Sequence, residues 1–349
     1  MPESSEKLAV IVRISEIASI PDADKIVRAK MDDNAWQVVA PKDAFTVGDL
    51  GVFFVIDSVV DSTNPALAFM AARQNIVWPC RMRKQLSQGL LVPLSALVYW
   101  GVDPASTKQG DDVTVATKTT KRVRAEDLPS NPQASGGFPH HIVSKTDELN
   151  LLSYKAAFNS LLGKPVSITL KMDGSSSTYL IKDGQFTSCS RGQMLKPDSE
   201  NGWTRMAKKY DLPQLLGTNP QLIIQAEVVG PKFNGNRLGL TEEDLFVFDI
   251  FNTENRTYRN FSSLKRFCDC AGLKAAPLVW SGVFDFKSID ELVELASQQK
   301  YQNGRPAEGI VIRADSCDWS DELGKRLSVK VINPDYLIFA EKHNVEDSH

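Results

Sequence analysis

Apolar positions in the first sixty residues come in short runs rather than long stripes. Leu8–Val12, Lys25–Ala29, Ala35–Val39 and Gly51–Ile56 each read as a strand. Pro21-Asp22-Ala23-Asp24 and Met31-Asp32-Asp33-Asn34 supply turns between them. Short strands at this spacing predict a small barrel. Between Asp103 and His140 the composition shifts to Thr, Lys, Gly, Asp, Pro and Ser, including Pro129-Ser130-Asn131-Pro132, which predicts a linker. Beyond it, spaced apolar residues from Thr146 to Leu162 suit a helix, with Thr146 and Asp147 as N-terminal caps. Strands resume at Val166, and Thr204–Tyr210, Ser262–Ala271 and Ile289–Gln299 have helical spacing. The expected organisation is α+β: a strand-rich domain over 1–102, a linker over 103–139 and a mixed domain over 140–349.

Composition narrows the class. The chain has 349 residues, 42% of them hydrophobic, enough for two real cores. Its opening residues lack a basic stretch followed by an apolar block, so export is not expected. The most apolar run, Gly51 to Ile56, ends at Asp57, far short of the roughly 20 residues that span a bilayer. A soluble, intracellular, cytoplasmic protein, and a monomer, is the expectation. Five cysteines without C-x-x-C spacing point to reduced thiols rather than a zinc or redox site. The net charge of −3 means that any phosphate-binding surface must be local. Candidates are Arg81, Arg83 and Lys84, which precede an apolar segment, and Lys118, Lys121, Arg122 and Arg124 in the linker. The alternative in both places is an ordinary solvated edge or loop.

The informative chemistry begins at Ile168-Thr169-Leu170-Lys171-Met172-Asp173-Gly174-Ser175. A strand delivers Lys171 into a turn containing Asp173 and Gly174. An ammonium group is not a nucleophile, so a reactive lysine there needs its pKa lowered by desolvation or by nearby cations. Further segments follow in order: Cys189-Ser190-Arg191-Gly192, Gln225-Ala226-Glu227 through Gly230, Asn234-Gly235-Asn236-Arg237, Leu245 to Ile250, Glu308-Gly309 through Arg313, and Leu327 to Val331.

This series resembles the covalent nucleotidyltransferase superfamily of DNA ligases, RNA ligases and capping enzymes, over roughly residues 140–335. His141-Ile142-Val143-Ser144-Lys145-Thr146-Asp147-Glu148, Gln225-x-Glu227-x-x-Gly230-Pro231 and Val331-Ile332-Asn333-Pro334 look most like ATP-dependent RNA ligases. The first domain resembles OB-type modules in its Pro21-x-Ala23-Asp24-Lys25 turn and its Val47-Gly48-Asp49 turn, and OB folds commonly bind oligonucleotides. An OB-like module ahead of the nucleotidyltransferase domain is similar to one branch of RNA ligases. The implied fold is thus an N-terminal OB-like β-barrel followed by a mixed α/β, ATP-grasp-like ligase adenylation domain.

The resemblance implies that Lys171 attacks the α-phosphate of ATP, that AMP passes to a 5′-phosphate, and that a 3′-hydroxyl then seals an RNA end, nicked duplex being the expected form. It implies ATP and Mg²⁺ (or Mn²⁺) as cofactors. Asp173, Glu227 and Glu308 become candidates to orient the metal, and Glu227 alternatively holds ribose hydroxyls. Arg191 and Lys330 become candidates for ribose or phosphate, and Phe248 for stacking on adenine or for core packing. The pattern has departures. Leu170 stands where related ligases have glutamate, Asn150 where they have arginine, and Ser328 where they have the first of two lysines, with Lys325 or Arg326 as replacements. Asn201 and Trp203 resemble the family's Asn-x-Trp segment, or simply cap and pack. A capping guanylyltransferase, a DNA ligase and an OB-based RNA-binding protein without activity are the alternatives.

Overall fold

The computed structural model describes residues 7–32, 34–122, 132–317, 319–320 and 325–346. Arg124, Pro129, Ser130, Asn131 and the side chain of Lys325 lie outside the described residues. The chain forms two compact units. One comprises Met1–Glu126 with Leu152–Lys155 and Leu337–His349, the other Asp127–Leu151 with Ala156–Tyr336.

The first unit contains β1 (Ala9–Ile20), β2 (Ala23–Met31), β3 (Gln37–Pro41), β4 (Leu50–Phe54), β5 (Ser58–Val59), β6 (Cys80–Met82), β7 (Gln85–Ser87), β8 (Leu90–Pro93) and β9 (Thr120–Lys121). Its main sheet is antiparallel, in the order β3-β2-β1-β4-β8. The four strands expected from the sequence are four of these five. Ala9 and Ile11 of β1 meet Val52 and Phe54 of β4 in a core closed by Leu67, Met70 and Leu97 from 3-10 helices at Pro65–Arg73 and Leu94–Trp100. The segment from Asp103 to Arg122, expected to be linker, packs on this core. The Ile11 amide donates to Asp111 O and the Val113 amide to Ala9 O, both at 2.9 Å, and β9 pairs with β5. β6 and β7 form a hairpin whose turn is Arg83 and Lys84, both left-handed (φ 49° and 67°). Two left-handed central residues match the twist of a tight hairpin and leave both side chains exposed at its tip.

The second unit continues with β10 (Ala134–Gly137), β11 (Leu149–Asn150), α1 (Lys155–Leu161), β12 (Pro165–Lys171), β13 (Ser175–Lys182), β14 (Gln185–Cys189), β15 (Gln193–Leu195), α2 (Gly202–Lys209), α3 (Leu212–Gly217), β16 (Leu222–Val229) and β17 (Asp244–Asn252). Then come β18 (Thr257–Tyr258), α4 (Phe261–Ala271), β19 (Lys274–Ala275), β20 (Leu278–Val283), α5 (Ile289–Ser297), β21 (Gly309–Ala314), β22 (Trp319–Ser320), β23 (Lys325–Arg326), β24 (Ser328–Ile332) and α6 (Pro334–Glu346), which from Leu337 belongs to the first unit.

These strands build two sheets: β10-β15-β14-β13-β16-β17-β18, with β19 beside β17, and β11-β24-β21-β12-β20. Strand alternation gives each sheet an apolar and a polar face. In the first, Leu222, Ile224, Ala226 and Val228 share a core with Met206, Leu212, Leu216, Leu264 and Cys268 of α2, α3 and α4, while Gln225 and Glu227 take the opposite face. In the second, register puts Ser167, Thr169 and Lys171 on one face with Val311, Arg313, Ser328 and Lys330.

The helix expected over Thr146–Leu162 is shorter, starting at Lys155. Its first half is extended instead, and β11 runs parallel to β24. The reason is tertiary. The Thr146 hydroxyl bonds the Ser176 hydroxyl at 2.6 Å, Asp147 pairs with Arg191, and Glu148 pairs with Arg313, so the residues read as helix caps are engaged elsewhere. The helices expected at 204–210, 262–271 and 289–299 form within two residues of those bounds. No cysteine forms a disulfide, and among the described residues no helix is long and apolar enough to cross a membrane.

Two glycines are required by close approach. A Cβ on Gly174 would lie 2.1 Å from Val228 O, and one on Gly309 (φ 151°) 2.2 Å from Val331 O. Gly174→Ala and Gly309→Ala are each expected to cost about 3 kcal/mol or more. Gly192→Ala, which meets nothing, should be near neutral. Chemical denaturation measures all three, and wild-type stability in either of the first two would contradict the packing argument.

Candidate functional site

The backbone from Lys171 to Ser175 leaves one sheet and enters the other. Lys171 ends β12 opposite Gly309, so Glu308 lies beside it, and Ser176 of β13 pairs with Glu227. One turn therefore gathers residues more than a hundred positions apart. Lys171 Nζ lies 2.7 Å from Glu308 Oε1. Glu308 is fixed at both ends of its peptide unit, its carbonyl accepting from the Asn333 amide at 2.9 Å and its amide donating to the Tyr301 hydroxyl at 3.1 Å.

Asp173 is buried, and both its carboxylate oxygens are occupied. Oδ1 accepts from Asn234 Nδ2 at 2.9 Å, and Oδ2 pairs with Arg237 NH1 at 3.2 Å. Asn234 Nδ2 also donates to Gly174 O, and Arg237 to the Tyr336 hydroxyl at 3.0 Å. The segment after Gly230 thus braces the turn that presents Lys171.

The electrostatics follow from three carboxylates around one amine. Burial pulls the Lys171 pKa down, but Glu308, Glu227 and Asp173 more than offset it, and the net shift is upward. A pKa lowered in the free protein, as the sequence suggested, is therefore not what this arrangement gives. Its nearest neighbours are anions. Burial pushes Glu227 up to about 8, with Glu308 and Asp173 adding to the rise and Lys171 opposing it. Among the described residues no three acid, histidine or cysteine side chains are close enough to ligate one ion directly.

The remaining sequence candidates are distributed as follows. Lys330 pairs in register with Val311 and Asn150, on the Lys171 face of its sheet. Arg191 is half-buried and bound to Asp147, with 2.9 Å between NH2 and Oδ1. Phe246 pairs directly with Glu227 and packs on the cluster of Leu170, Met172, Val229, Leu238, Tyr301 and Ala307. Phe248 is the extra residue where the β16–β17 register shifts, and the Arg313 guanidinium lies 5.6 Å from its ring centre. Asn201 caps α2, accepting from the Thr204 amide, and the Trp203 indole donates to Ser176 O at 3.0 Å. Arg81, Arg83 and Lys84 belong to the first unit's hairpin.

Elsewhere between the same two sheets, Arg313 of one pairs with Asp249 of the other at 3.3 Å and with Glu148 at 3.4 Å. Arg326 also pairs with Asp249 and lies 4.5 Å from the Tyr258 ring centre. This answers one departure from the family pattern: the Arg326 guanidinium is engaged by Asp249, and the Ser328 hydroxyl is buried without a hydrogen-bond partner. Asp249 and Tyr301 were not singled out from the sequence. Asp249 sits in the quoted Leu245–Ile250 strand, where an acid in an apolar run was the available signal. Tyr301 lies in a loop with no such mark.

No curated protein matches the chain by sequence. Residues 164–332 match the family model described as RNA ligase, and residues 8–94 match an OB-fold domain model. Among solved structures, Naegleria gruberi RNA ligase is similar over nearly the whole chain. A lysine-to-alanine variant with ATP and Mn is 25% identical, with a TM-score of 0.81 over 95% of this chain and 99% of that one. A glutamate-to-alanine variant with AMP and Mn is 26% identical, with a TM-score of 0.81 over 95% and 98%. The same ligase with pyrophosphate is 25% identical, with a TM-score of 0.80 over 97% and 99%. The segment that matches the RNA ligase family model thus forms the second part of the chain, with a segment that matches an OB-fold domain model ahead of it.

Proposed function

We infer that this protein is an ATP-dependent RNA ligase that joins a 3′-hydroxyl end to a 5′-phosphate end through a lysyl-AMP intermediate on Lys171. The observation that carries the reading is the placement of Lys171 at the inter-sheet turn, 2.7 Å from Glu308 and within the field of Glu227 and Asp173. The match of residues 164–332 to the RNA ligase family model favours it over a capping enzyme, a DNA ligase or a binding protein.

The neutral Lys171 Nζ attacks the α-phosphorus of ATP. An N–P bond forms, the bond from that phosphorus to the bridging oxygen breaks, and pyrophosphate leaves. A 5′-phosphate oxygen of the RNA next displaces Lys171 from the adenylate. The 3′-hydroxyl oxygen then attacks that 5′-phosphorus and releases AMP. Each substitution is in line, so orientation and charge stabilisation dominate.

A divalent cation fits the site on charge grounds, because Glu227 and Glu308 face a single ammonium, and burial together with Glu308 and Asp173 pushes Glu227 up to about 8. Mg²⁺ or Mn²⁺ there would add charge that favours the neutral amine and steadies the phosphates. Glu227 and Glu308 are the acids available to it, through its waters in the case of Mg²⁺, which dehydrates reluctantly. Asp173, also expected as a metal residue, has its oxygens on Asn234 and Arg237 and acts in this reading by holding the turn. Lys330 and Arg191 contact phosphate or ribose, and Phe248 or Phe246 offers its ring to the base. The Leu170 side chain offers no acceptor to the adenine amino group. RNA is gripped by the N-terminal domain through Arg81, Arg83 and Lys84, a nicked duplex being the preferred substrate of a cytoplasmic monomer.

Lys171→Ala is expected to abolish the protein–AMP adduct formed from radiolabelled ATP, yet to seal RNA supplied already adenylylated at its 5′ end. An adduct of normal yield in that variant would overturn the assignment. Because Glu227 titrates near 8, a metal ion that engages it below that pH must displace a proton, so Mn²⁺ should bind more tightly as pH rises from 6.5 to 8.5. Calorimetry at pH 7 in buffers of different ionisation enthalpy reads the released proton, and its absence would remove Glu227 from the metal site. Replacing Arg81, Arg83 and Lys84 by alanine should leave adduct formation within about twofold, while sealing falls and loses part of its salt dependence. Unchanged sealing at every salt concentration would dismiss the hairpin as an RNA contact.

A further inference from the structure

Tyr301 lies outside every segment that carried the functional reading, yet its hydroxyl touches both halves of the catalytic pair. It donates to Lys171 O at 3.0 Å and accepts the Glu308 amide at 3.1 Å. The phenol is 5% exposed and packs with Leu170, Met172, Val229, Leu238 and Ala307, so no solvent substitutes for it. The loop that carries it is itself tied down. Its amide donates to Arg305 O and its carbonyl accepts from the Gly304 amide, both at 2.9 Å, Lys300 bridges to Pro306, and Asn303 Nδ2 donates to Arg237 O at 2.9 Å. The hydroxyl therefore stands at a fixed point between the end of β12 and the start of β21.

We propose that Tyr301 is a positioning residue for lysine adenylylation, holding the Glu308 carboxylate against the Lys171 amine by bridging their two backbones. The reading rests on the ligase function above. The β12–β21 ladder ends at the Lys171–Gly309 pair, so Glu308, held by Asn333 on its other side, has no partner in β12 beyond it. Gly309 adds backbone freedom at that point (φ 151°). Without the hydroxyl, the Glu308 amide and the Lys171 carbonyl lose a shared partner in a buried setting and the loop re-seats. An in-line displacement is sensitive to small misplacements of the attacking group and its neighbours. In this reading the hydroxyl acts on the amine and carboxylate geometry, so its loss falls on the maximal rate.

The test is Tyr301→Phe in the full chain, which removes one oxygen and keeps the ring. The maximal adenylylation rate should fall about tenfold to a hundredfold, with the ATP concentration at half-maximal rate within about twofold of wild type. In a Glu308→Ala background the same change should add almost nothing, since Tyr301 acts through Glu308. Tyr301→Gln, which can still donate and accept, should recover part of the rate. Wild-type protein and Lys171→Ala run in parallel separate the two readings, because absence of an adduct in wild type would count against the ligase function and not against this role. A Tyr301→Phe rate within twofold of wild type, a loss that is fully additive with Glu308→Ala, or a loss matched by a reduced folded fraction in thermal melting would overturn the proposal.

Discussion

The passage of the chain from one sheet to the other, between Lys171 and Ser175, is the constraint on which the site depends. A lysine at the end of a strand is commonplace. Here the next residues must cross to a second sheet, and Gly174 crosses so close to Val228 O that no side chain fits. That proximity brings Ser176 into register with Glu227, while β12 keeps its own register with β21 and so with Glu308. Three residues from three parts of the sequence converge because two hydrogen-bonded ladders share one covalent link. Rotamer choice alone could not hold them as tightly, since each side chain would have to be ordered separately.

Charge balance then divides the acids. Asp173 is neutralised by Arg237 and bonded by Asn234, so it is a structural anion with its lone pairs in use. Glu308 is paired with Lys171. Glu227 stands half-buried among like charges, with the Lys171 ammonium and the Gly174 backbone in its favour, and burial, Glu308 and Asp173 push its carboxyl up to about 8. A cation placed beside Glu227 would favour its ionised form and weaken the hold of the carboxylates on the lysine proton. The raised lysine pKa of the free protein is thus compatible with a nucleophilic role once a cation arrives.

The sequence made the strands and the chemical residues legible for a physical reason. Apolar runs bounded by turns mark β1 to β4. Lys171, Glu227 and Glu308 each interrupt or flank an apolar run, where a charge has a cost unless it has a partner. The extended segment from Thr146 to Asn150 was not legible, because its helix-like spacing lost to Ser176, Arg191 and Arg313, partners far away in sequence. The same holds for Tyr301, and for the contacts of Asn234 and Arg237, whose segment the sequence did mark. They act through hydrogen bonds to backbone or to Asp173, and such contacts leave no period in a chain. Arg326 and Ser328 show the reverse limit. Ser328 departs from the family's lysine pattern and Arg326 offers a replacement charge, but only the structure shows that Asp249 engages the arginine.

The ion cluster of Arg313, Asp249, Arg326 and Glu148 is a second tie between the sheets, at a distance from the covalent one. Its side chains are between 7% and 14% exposed, so desolvation cancels much of the Coulomb attraction, and the cluster is a poor source of net stability. What it offers is geometry. Arg313 lies one strand from Thr169 and touches its hydroxyl, while Asp249 lies three residues from Phe246, the ring opposite Glu227. The Lys171–Gly174 crossing, the packing of Leu170 and Met172 with Val229 and Phe246, and the ion pairs thus all tie the two sheets, and the directional ion pairs set their spacing near Arg313 and Asp249.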